Sequence, residues 1–547
     1  MKWIKRSNTE KTFLEREMKL FAGKNFQKEN SANYKVYDLE KAAERILAAK
    51  ENGELIYTVG DYDVDGVFSL AELDSLYKAI GISNYILRCP RRISEGYGLS
   101  FNIVKEIIKY DPGLCILVDN GIAAYDQVAE LCAYGWDVLI MDHHQLPADG
   151  KLPPADIIID PEAIPGQADF PHYCGAGLVY KLASEMLNEA ETLNQILSYA
   201  AIATCADCVP FIQKDTHACD NWLIVREGLK SIVRPTGRTK TLYVLLRTLG
   251  IDTYATEDDF GYRIGPIVNA SGRLYDNGAQ EVLDYFTDTK ASFHDMEARV
   301  QELIATNNKR KDIQKKILEK VRETIVTPSN GIMVIYEPDI PEGIVGLVAG
   351  DLTNTYKIPA IVFTNAANGE LKGSARSTDD VNIINLIFGQ KDLLVRCGGH
   401  KKAAGLGVKS ENYEKFKAAI EAAAGKYNPV NDISYYNYEI SPEEAPEIWE
   451  QLEKFAPYGE GHPYPVFKIK GYEVASSRLI GATGNTIKLT SKGNTKLDAI
   501  NFNGSGKDQY STLGLPEKID LYGQLAVNMW NGKKILQVRF DELMESQ

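Results

Sequence analysis

Three aspartates alternate in "VGDYDVDGVFSLAE", which begins at Val59: Asp61, Asp63 and Asp65, with Gly66 next and Glu72 in the twelfth position counted from Asp61. The pattern satisfies an EF-hand calcium loop letter by letter. Context decides against that reading. An EF-hand loop is entered by a helix, whereas "ELIYTVG", rich in β-branched and aromatic residues and cut off by "ENG" from the helical stretch before it, reads as a strand. Three carboxylates this close repel one another unless cations neutralise them, so a divalent ion is expected. Further ligands of the same kind follow: Asp119 in "LVDNG", Asp142, His143 and His144 in "IMDHHQ", and Asp207 in "TCADCVP". Any one of these alone reads as a cap or turn after a strand. Their recurrence at the ends of apolar elements points to a shared site. Carboxylate and imidazole without thiolate suit Mn2+ or Mg2+, and the set is large enough for two ions about 4 Å apart. Such a pair activates water and stabilises charge on a phosphoryl oxygen, which is the chemistry of phosphoester hydrolysis.

The elements that must position these groups come from the alternation between Tyr34 and about Ile164. Helical patterns such as "DLEKAAERILAAK" and "SFNIVKEIIKYD" alternate with short apolar runs such as "GLCILVDNG", "DVLIMDHH" and "ADIIIDP". Alternation of this kind predicts a parallel sheet with helices on both faces, and open sheets of that class bind ligands past the carboxyl ends of their strands. A helical stretch is expected from about Gly177 to Asp207. A long connecting helix is expected near 291–328, where Val300, Leu303, Ile304, Ile313, Ile317, Val321 and Ile325 broadly keep helical spacing. Its basic residues, Lys309 to Arg322, read equally as a phosphate-facing stripe or a solvated face. After "TPSNG" the runs "IMVIYE", "PAIVFTN" and "GELKGSARS" restart an α/β pattern. Beyond Pro429 alternating strands with Asn531-Gly532 predict a small β-barrel.

Composition narrows the class without naming a substrate. The chain has 547 residues, 44% hydrophobic and 25% charged, which is an ordinary folded mixture spread over three or four domains. The opening segment is too charged for a signal peptide, and no apolar run approaches the about 20 residues of a membrane span, so a cytoplasmic location is expected. Eight scattered cysteines fit a reduced compartment, and Cys205 and Cys208, inside an apolar element, read as core residues rather than a zinc site. The net charge of -14 excludes a uniformly basic surface, though not a local groove for nucleic acid.

"GDYDVDG", "VDNG", "DHH" and "ADCVP" stand in the order of the four motifs of the DHH phosphoesterases, and the chain resembles that family. "PRRISEGYGL", "GPIVNASGRL", "GSARS", "CGGHKKAAGL" and "FAPYGEGHPYPVF" are similar to its RecJ branch, single-stranded-DNA 5′ exonucleases. The resemblance implies an α/β protein with a parallel-sheet DHH domain (1–290), a connecting helix (291–328), a smaller α/β DHHA1 domain (329–428) and a C-terminal OB-like barrel (429–547). It implies that Asp63, Asp65, Asp119, His143 and Asp207 ligate Mn2+ or Mg2+, two ions per site. Asp61 and Asp142 would support them, and His144 would contact the scissile phosphate. Arg92, Ser374, Arg376 and His400, with Gly398 and Gly399, would hold the terminal 5′ phosphate or the phosphate beside it, while Asn269 and Arg273 would line the substrate path. The backbone at the paired glycines can approach an anion and Arg376 offers a bidentate fork. Some DHH relatives carry a metal-binding His where this chain has Val59, which removes one ligand from the first metal. In the barrel, Phe502, Trp530 and Lys533 are candidates for strand binding, although core packing suits each aromatic. The expected partners are single-stranded DNA, a helicase and a single-strand-binding protein, with no membrane, and a monomer is expected. Two rivals stay open: a DHH phosphodiesterase of short oligonucleotides or cyclic dinucleotides, and a non-catalytic scaffold in a replication or repair assembly.

Overall fold

The computed structural model describes residues 2–7, 10, 12–21, 24, 29–147, 149–324, 331–366, 369–425, 433–481, 486–492, 497–502, 505–514, 516–530 and 533–546. The chain divides into two compact units, a larger one of Asn30–Val209 with Leu223–Val430, and a smaller one of Met1–Glu29, Pro210–Trp222 and Asn431–Gln547.

In the larger unit the predicted alternation becomes a five-stranded, wholly parallel sheet. Its strands are β1 (Ile56–Val59), β2 (Tyr85–Arg88), β3 (Leu114–Val118), β4 (Asp137–Met141) and β5 (Ile157–Ile159), in the spatial order β2-β1-β3-β4-β5. Strands β1 and β3 are buried along their whole length, as continuous apolar runs covered on both faces must be. Helix α1 (Val64–Ile80) follows β1. Asp63 caps it by accepting from the Asp65 and Gly66 amides at 3.0 and 3.3 Å, and Gly81 ends it in the left-handed region at φ 76°. Helices α2 (Gly175–Met186) and α3 (Ala190–Ala206) fill the stretch expected to be helical. Downstream, α4 (Gly265–Leu274) leads to the long helix α5 (Phe293–Thr324). Residue Ile325 of the predicted helical pattern lies outside the described residues. Within the basic stripe of α5, Lys320 lies 2.8 Å from Glu337 and buried Arg310 has its guanidinium on Asn307 and Gln314, while Lys311, Lys316 and Arg322 are exposed.

A second sheet in the same unit comprises β6 (Met333–Tyr336), β7 (Ala360–Asn365), β8 (Glu370–Arg376), β9 (Leu394–Gly399) and β10 (Ala403–Lys409), ordered β9-β10-β8-β7-β6, with only β6 and β7 parallel. Helix α6 (Val345–Tyr356) packs on it through Val345, Val348, Ala349 and Leu352.

The smaller unit is built on a closed barrel of β11 (Phe467–Ile480), β12 (Thr486–Ser491), β13 (Asp498–Asn501), β14 (Lys518–Trp530) and β15 (Lys533–Glu545), closed by β11 on β14. Trp530 pairs with Lys533 across β14 and β15, around Asn531 and Gly532, which lie outside the described residues. The amino terminus belongs to this unit: Lys2–Lys5 runs parallel to Ile433–Tyr436. Phe21 stacks edge-on against Trp222 at 5.0 Å, and buried Glu17 meets buried His462 at 2.7 Å. Among the described residues no helix is long and apolar enough to cross a membrane.

Candidate active site

Each carboxylate of interest stands where a buried element ends. Asp61 and Asp63 follow β1, Asp119 follows β3, Asp142 follows β4, and Asp207 caps α3 with its amide on the Ala203 carbonyl at 2.9 Å. Asp119 is held at φ 59°, a left-handed conformation that a non-glycine residue rarely adopts, with its amide on the Met141 carbonyl. Asn120 bridges the Val59 and Val118 carbonyls and so ties the two strand ends together.

The fold gathers these side chains into three overlapping groups, each with its oxygen or nitrogen atoms within 4.8 Å of one another. They are Asp61, Asp63 and Asp119; Asp65, His143 and Asp207; and Asp119, Asp142, His143 and His144. His143 Nε2 lies 3.1 Å from Asp119, 3.5 Å from Asp65 and 3.8 Å from Asp207. Glu72, whose position in the sequence completed the calcium pattern, is fully buried inside α1 and belongs to none of these groups. Nor do Cys205 and Cys208.

Burial, and next the charge of a neighbouring aspartate, Asp63 for Asp61 and Asp65 for the others, holds Asp61, Asp119 and Asp207 well above the usual carboxylate range and raises Asp63 as well. Burial and the neighbouring His144 lower His143, which keeps it a neutral ligand. Several crowded carboxylates facing a neutral imidazole are short of positive charge, and a hard divalent cation with oxygen and nitrogen preference fits that donor set. Asp65 is positioned by the first turn of α2, accepting from Gly175 N at 2.6 Å and Ala176 N at 2.8 Å. A Cβ at Gly175 would lie 2.7 Å from Asp119 Cβ, so only glycine lets α2 come this close. Gly175 was not among the residues expected at the site, and "CGAG" carries no chemistry of its own.

His144 behaves differently from its neighbour. Burial works against its charge, but the Asp142 carboxylate at 2.7 Å from Nδ1 lifts it to about 9. Asp142 is itself fixed by the Ile122 amide at 3.0 Å and kept below the usual range despite burial, first by the His144 hydrogen bond. Tyr97, from "SEGYG", donates to the Asp119 carbonyl at 2.7 Å and touches the His144 ring at 3.1 Å.

Beside this acidic centre stand the arginines. The Arg92 guanidinium lies 4.3 Å over the ring of Tyr62, the residue between Asp61 and Asp63. Arg273 donates to the Gly343 carbonyl at 3.1 Å, and Arg376 touches Ser374 Oγ at 3.2 Å. Burial, followed by the charge of Arg92, lowers the proton affinity of both Arg273 and Arg376. Three half-buried guanidiniums that repel one another form a site short of negative charge. Asn269, four residues before Arg273 in α4, has its Oδ1 buried without a partner among the described residues. A Cβ at Gly346, in the first turn of α6, would come within 3.0 Å of both Ser374 Oγ and Arg376 Nη2. Gly346 is a second residue that the motifs did not reveal. His400 follows β9 and is exposed; partial burial and then the imidazoles of His144 and His143 lower it. Gly399 answers first to its strand: at φ 141° a Cβ would lie 2.4 Å from the Ala403 carbonyl, while Gly398 borders open space. In the barrel Phe502 is 60% exposed, and the side chain of Trp530 lies outside the described residues.

Comparison with known proteins agrees with this arrangement segment by segment. Residues 55–204 match the DHH family, N-terminal domain; 329–426 match the DHHA1 domain; and 436–542 match the RecJ OB domain. The single-stranded-DNA-specific exonuclease RecJ of Thermus thermophilus is 29% identical over 513 residues, 93% of this chain and 71% of that protein. The protein of the same description from Haemophilus influenzae is 28% identical over 92% of this chain and 90% of its own length. A crystal structure of the T. thermophilus RecJ in complex with Mn2+ superimposes with a TM-score of 0.76 at 26% identity, covering 94% of this chain and 72% of the other. With the three domains in one order and relatives alike across nearly the whole chain, this protein belongs to the RecJ family of DHH/DHHA1 proteins.

Proposed function

We propose that the chain is a divalent-metal-dependent exonuclease that hydrolyses single-stranded DNA from its 5′ end and releases 5′-mononucleotides. The observation that supports this reading is Arg92 seated 4.3 Å over Tyr62, which brings one anion-seeking side chain beside the carboxylates that flank that tyrosine. A terminal phosphate held by Arg92, Ser374 and Arg376 leaves the adjacent phosphodiester over the acidic centre, so cleavage removes one unit at a time.

Asp63, Asp65, Asp119, His143 and Asp207 would hold two Mn2+ or Mg2+ ions, one nearer Asp61, Asp63 and Asp119, the other nearer Asp65, His143 and Asp207. When bound, the ions polarise the phosphoryl group and make water a stronger nucleophile at neutral pH. His144, kept protonated by Asp142, donates a hydrogen bond to a non-bridging oxygen of the scissile phosphate and answers the charge that builds there. Arg273 and Asn269 orient the strand beside the terminal phosphate. The barrel at the carboxy terminus favours a long strand over a dinucleotide as substrate, because barrels of this kind bind extended single strands.

The test is a 5′-phosphorylated single strand incubated with Mn2+ and followed by product length. Mononucleotides should appear from the 5′ end. Their absence, or equal release by Asp63→Ala, sinks the reading.

A further inference from the structure

The smaller unit contains a cleft of about 540 Å³ that no part of the proposed reaction uses. Among the described residues Arg6, Arg16, Lys19 and Lys214 line it together with one acidic residue, Glu10, which lies 2.8 Å from Lys19; Glu17, outside the lining, lies 3.6 Å from Arg16. The local balance runs against the whole chain: the first 29 residues carry eight Lys and Arg against four Glu, while the net charge of the protein is -14. Arg6 and Lys214 are exposed, and Arg16 is anchored by donating to the Pro463 carbonyl at 3.0 Å.

Aromatic groups stand among these cations. Tyr435 is 46% exposed with the Arg6 guanidinium 5.7 Å from its ring centroid, and Tyr464 lines the cleft with its hydroxyl donating to the Leu525 carbonyl at 2.7 Å. His217 forms part of the wall in a left-handed conformation, φ 57°, with Nδ1 2.9 Å from the Leu20 carbonyl. The volume lies in the range of small-ligand sites. Cations alone would suit any anion; cations around an accessible aromatic ring suit a phosphate that carries a base able to stack.

We infer that this cleft binds a nucleoside monophosphate group, with the phosphate among Arg6, Arg16 and Lys214 and the base against Tyr435. The group comes either from an internal nucleotide of a single strand or from a free mononucleotide, and the choice of these two sources rests on the proposed reaction.

Binding is measured on the full chain carrying Asp63→Ala, without divalent metal, so that strands stay intact. The probes are a 3′-fluorescein-labelled dT20 strand followed by anisotropy and dAMP followed by calorimetry. Arg6→Glu with Lys214→Glu should weaken at least one probe tenfold or more, and Tyr435→Ala should weaken the same probe. If the strand is the ligand, the charge reversal also lowers the slope of log affinity against log salt by about 0.7 per lost phosphate contact, and Tyr435→Ala leaves the slope unchanged. If dAMP alone responds, the ligand is the free nucleotide. Unchanged affinity for both probes overturns the inference, as does a loss confined to the charge reversal with Tyr435→Ala silent. Arg6→Ala with Lys214→Ala, a milder change at exposed positions, guards against misfolding as the cause. Hydrolysis by the unsubstituted chain is scored separately: an inactive chain whose binding still falls in the variants sinks the exonuclease reading alone, and an active chain whose binding does not move sinks this cleft alone.

Discussion

The acidic centre and the arginine cluster are built in opposite ways. The first takes most of its groups from the ends of neighbouring strands, so that one parallel sheet fixes Asp61, Asp63, Asp119 and Asp142 together. The second draws Arg92 from the segment after β2, Arg273 from α4 and Arg376 from β8 of the other sheet, residues far apart in the chain. Both concentrate like charge, the first in a largely buried place and the second in a half-buried one, and both are therefore sites that a ligand of opposite charge completes. The difference is rigidity. Strand ends that share a hydrogen-bonded register cannot drift apart, whereas three long side chains from separate elements can adapt. The acidic centre should accordingly fail all at once and the arginine cluster by degrees.

The largest effect should come from Asp119→Ala. Asp119 belongs to two of the three ligand groups and its carboxylate faces His143. Hydrolysis of a single strand with Mn2+ should fall by about 10³-fold or more. Chelation of the metal should do the same to the unsubstituted protein, with recovery on adding Mn2+ back. A modest loss, of a few fold, would break the idea that the centre acts as one unit.

Asp142→Asn should come next, and its signature is a pH shift. The folded His144 value of about 9 lies above the ordinary imidazole range, so its proton is present at neutral pH and lost as pH rises through about 9. Without the Asp142 charge, burial prevails and the proton is lost at lower pH. The rate at neutral pH should drop by about 10²-fold, and the alkaline limb of the pH profile should move down. An unmoved limb would show that His144 is not the titrating group.

How much of this was legible beforehand follows the same division. Strand alternation and the aspartates after "GLCILV" and "DVLIM" are local patterns, so the sheet and its carboxylates could be read from short stretches. The left-handed turn at Asp119 could not be read, because nothing in "VDNG" distinguishes it from an ordinary cap. Gly175 and Gly346 escaped for another reason: each matters only because of a side chain more than 20 residues away that leaves no room for a methyl group. The arginines were picked out by family resemblance, since a lone Arg92 reads as a surface ion pair. The grouping of residues 1–29 and 210–222 with the smaller unit rests on long-range pairing, such as Lys2 opposite Ile433, that no local periodicity announces.

Arg376→Ala should be graded rather than absolute. Loss of one charge-assisted contact of about 1.5–3 kcal/mol to a 5′ phosphate corresponds to about 10–100-fold in kcat/KM on phosphorylated strands, with much less change on 5′-hydroxyl strands. Arg376→Lys should recover little, because an ammonium cannot reproduce the planar fork. Equal losses on both kinds of end would place Arg376 outside the terminal-phosphate site.

The smallest effect, and the finest test of the contrast, is Gly346→Ala set against Gly175→Ala. At Gly346 the new methyl meets the ends of two polar side chains, Ser374 Oγ and Arg376 Nη2, both at 3.0 Å. The Ser374 hydroxyl can rotate and the long Arg376 side chain can yield by a few tenths of an ångström, so KM for a 5′-phosphorylated strand should rise a few fold while kcat holds. At Gly175 the methyl meets Asp119 Cβ at 2.7 Å and the Asp65 carboxylate at 3.0 Å, and Asp119 is pinned by its own backbone. There the change should strike Mn2+ affinity and kcat together. If Gly346→Ala also lowered kcat and weakened metal binding, the arginine cluster would share the rigidity of the acidic centre, and the two regions would have to be treated as one preorganised site.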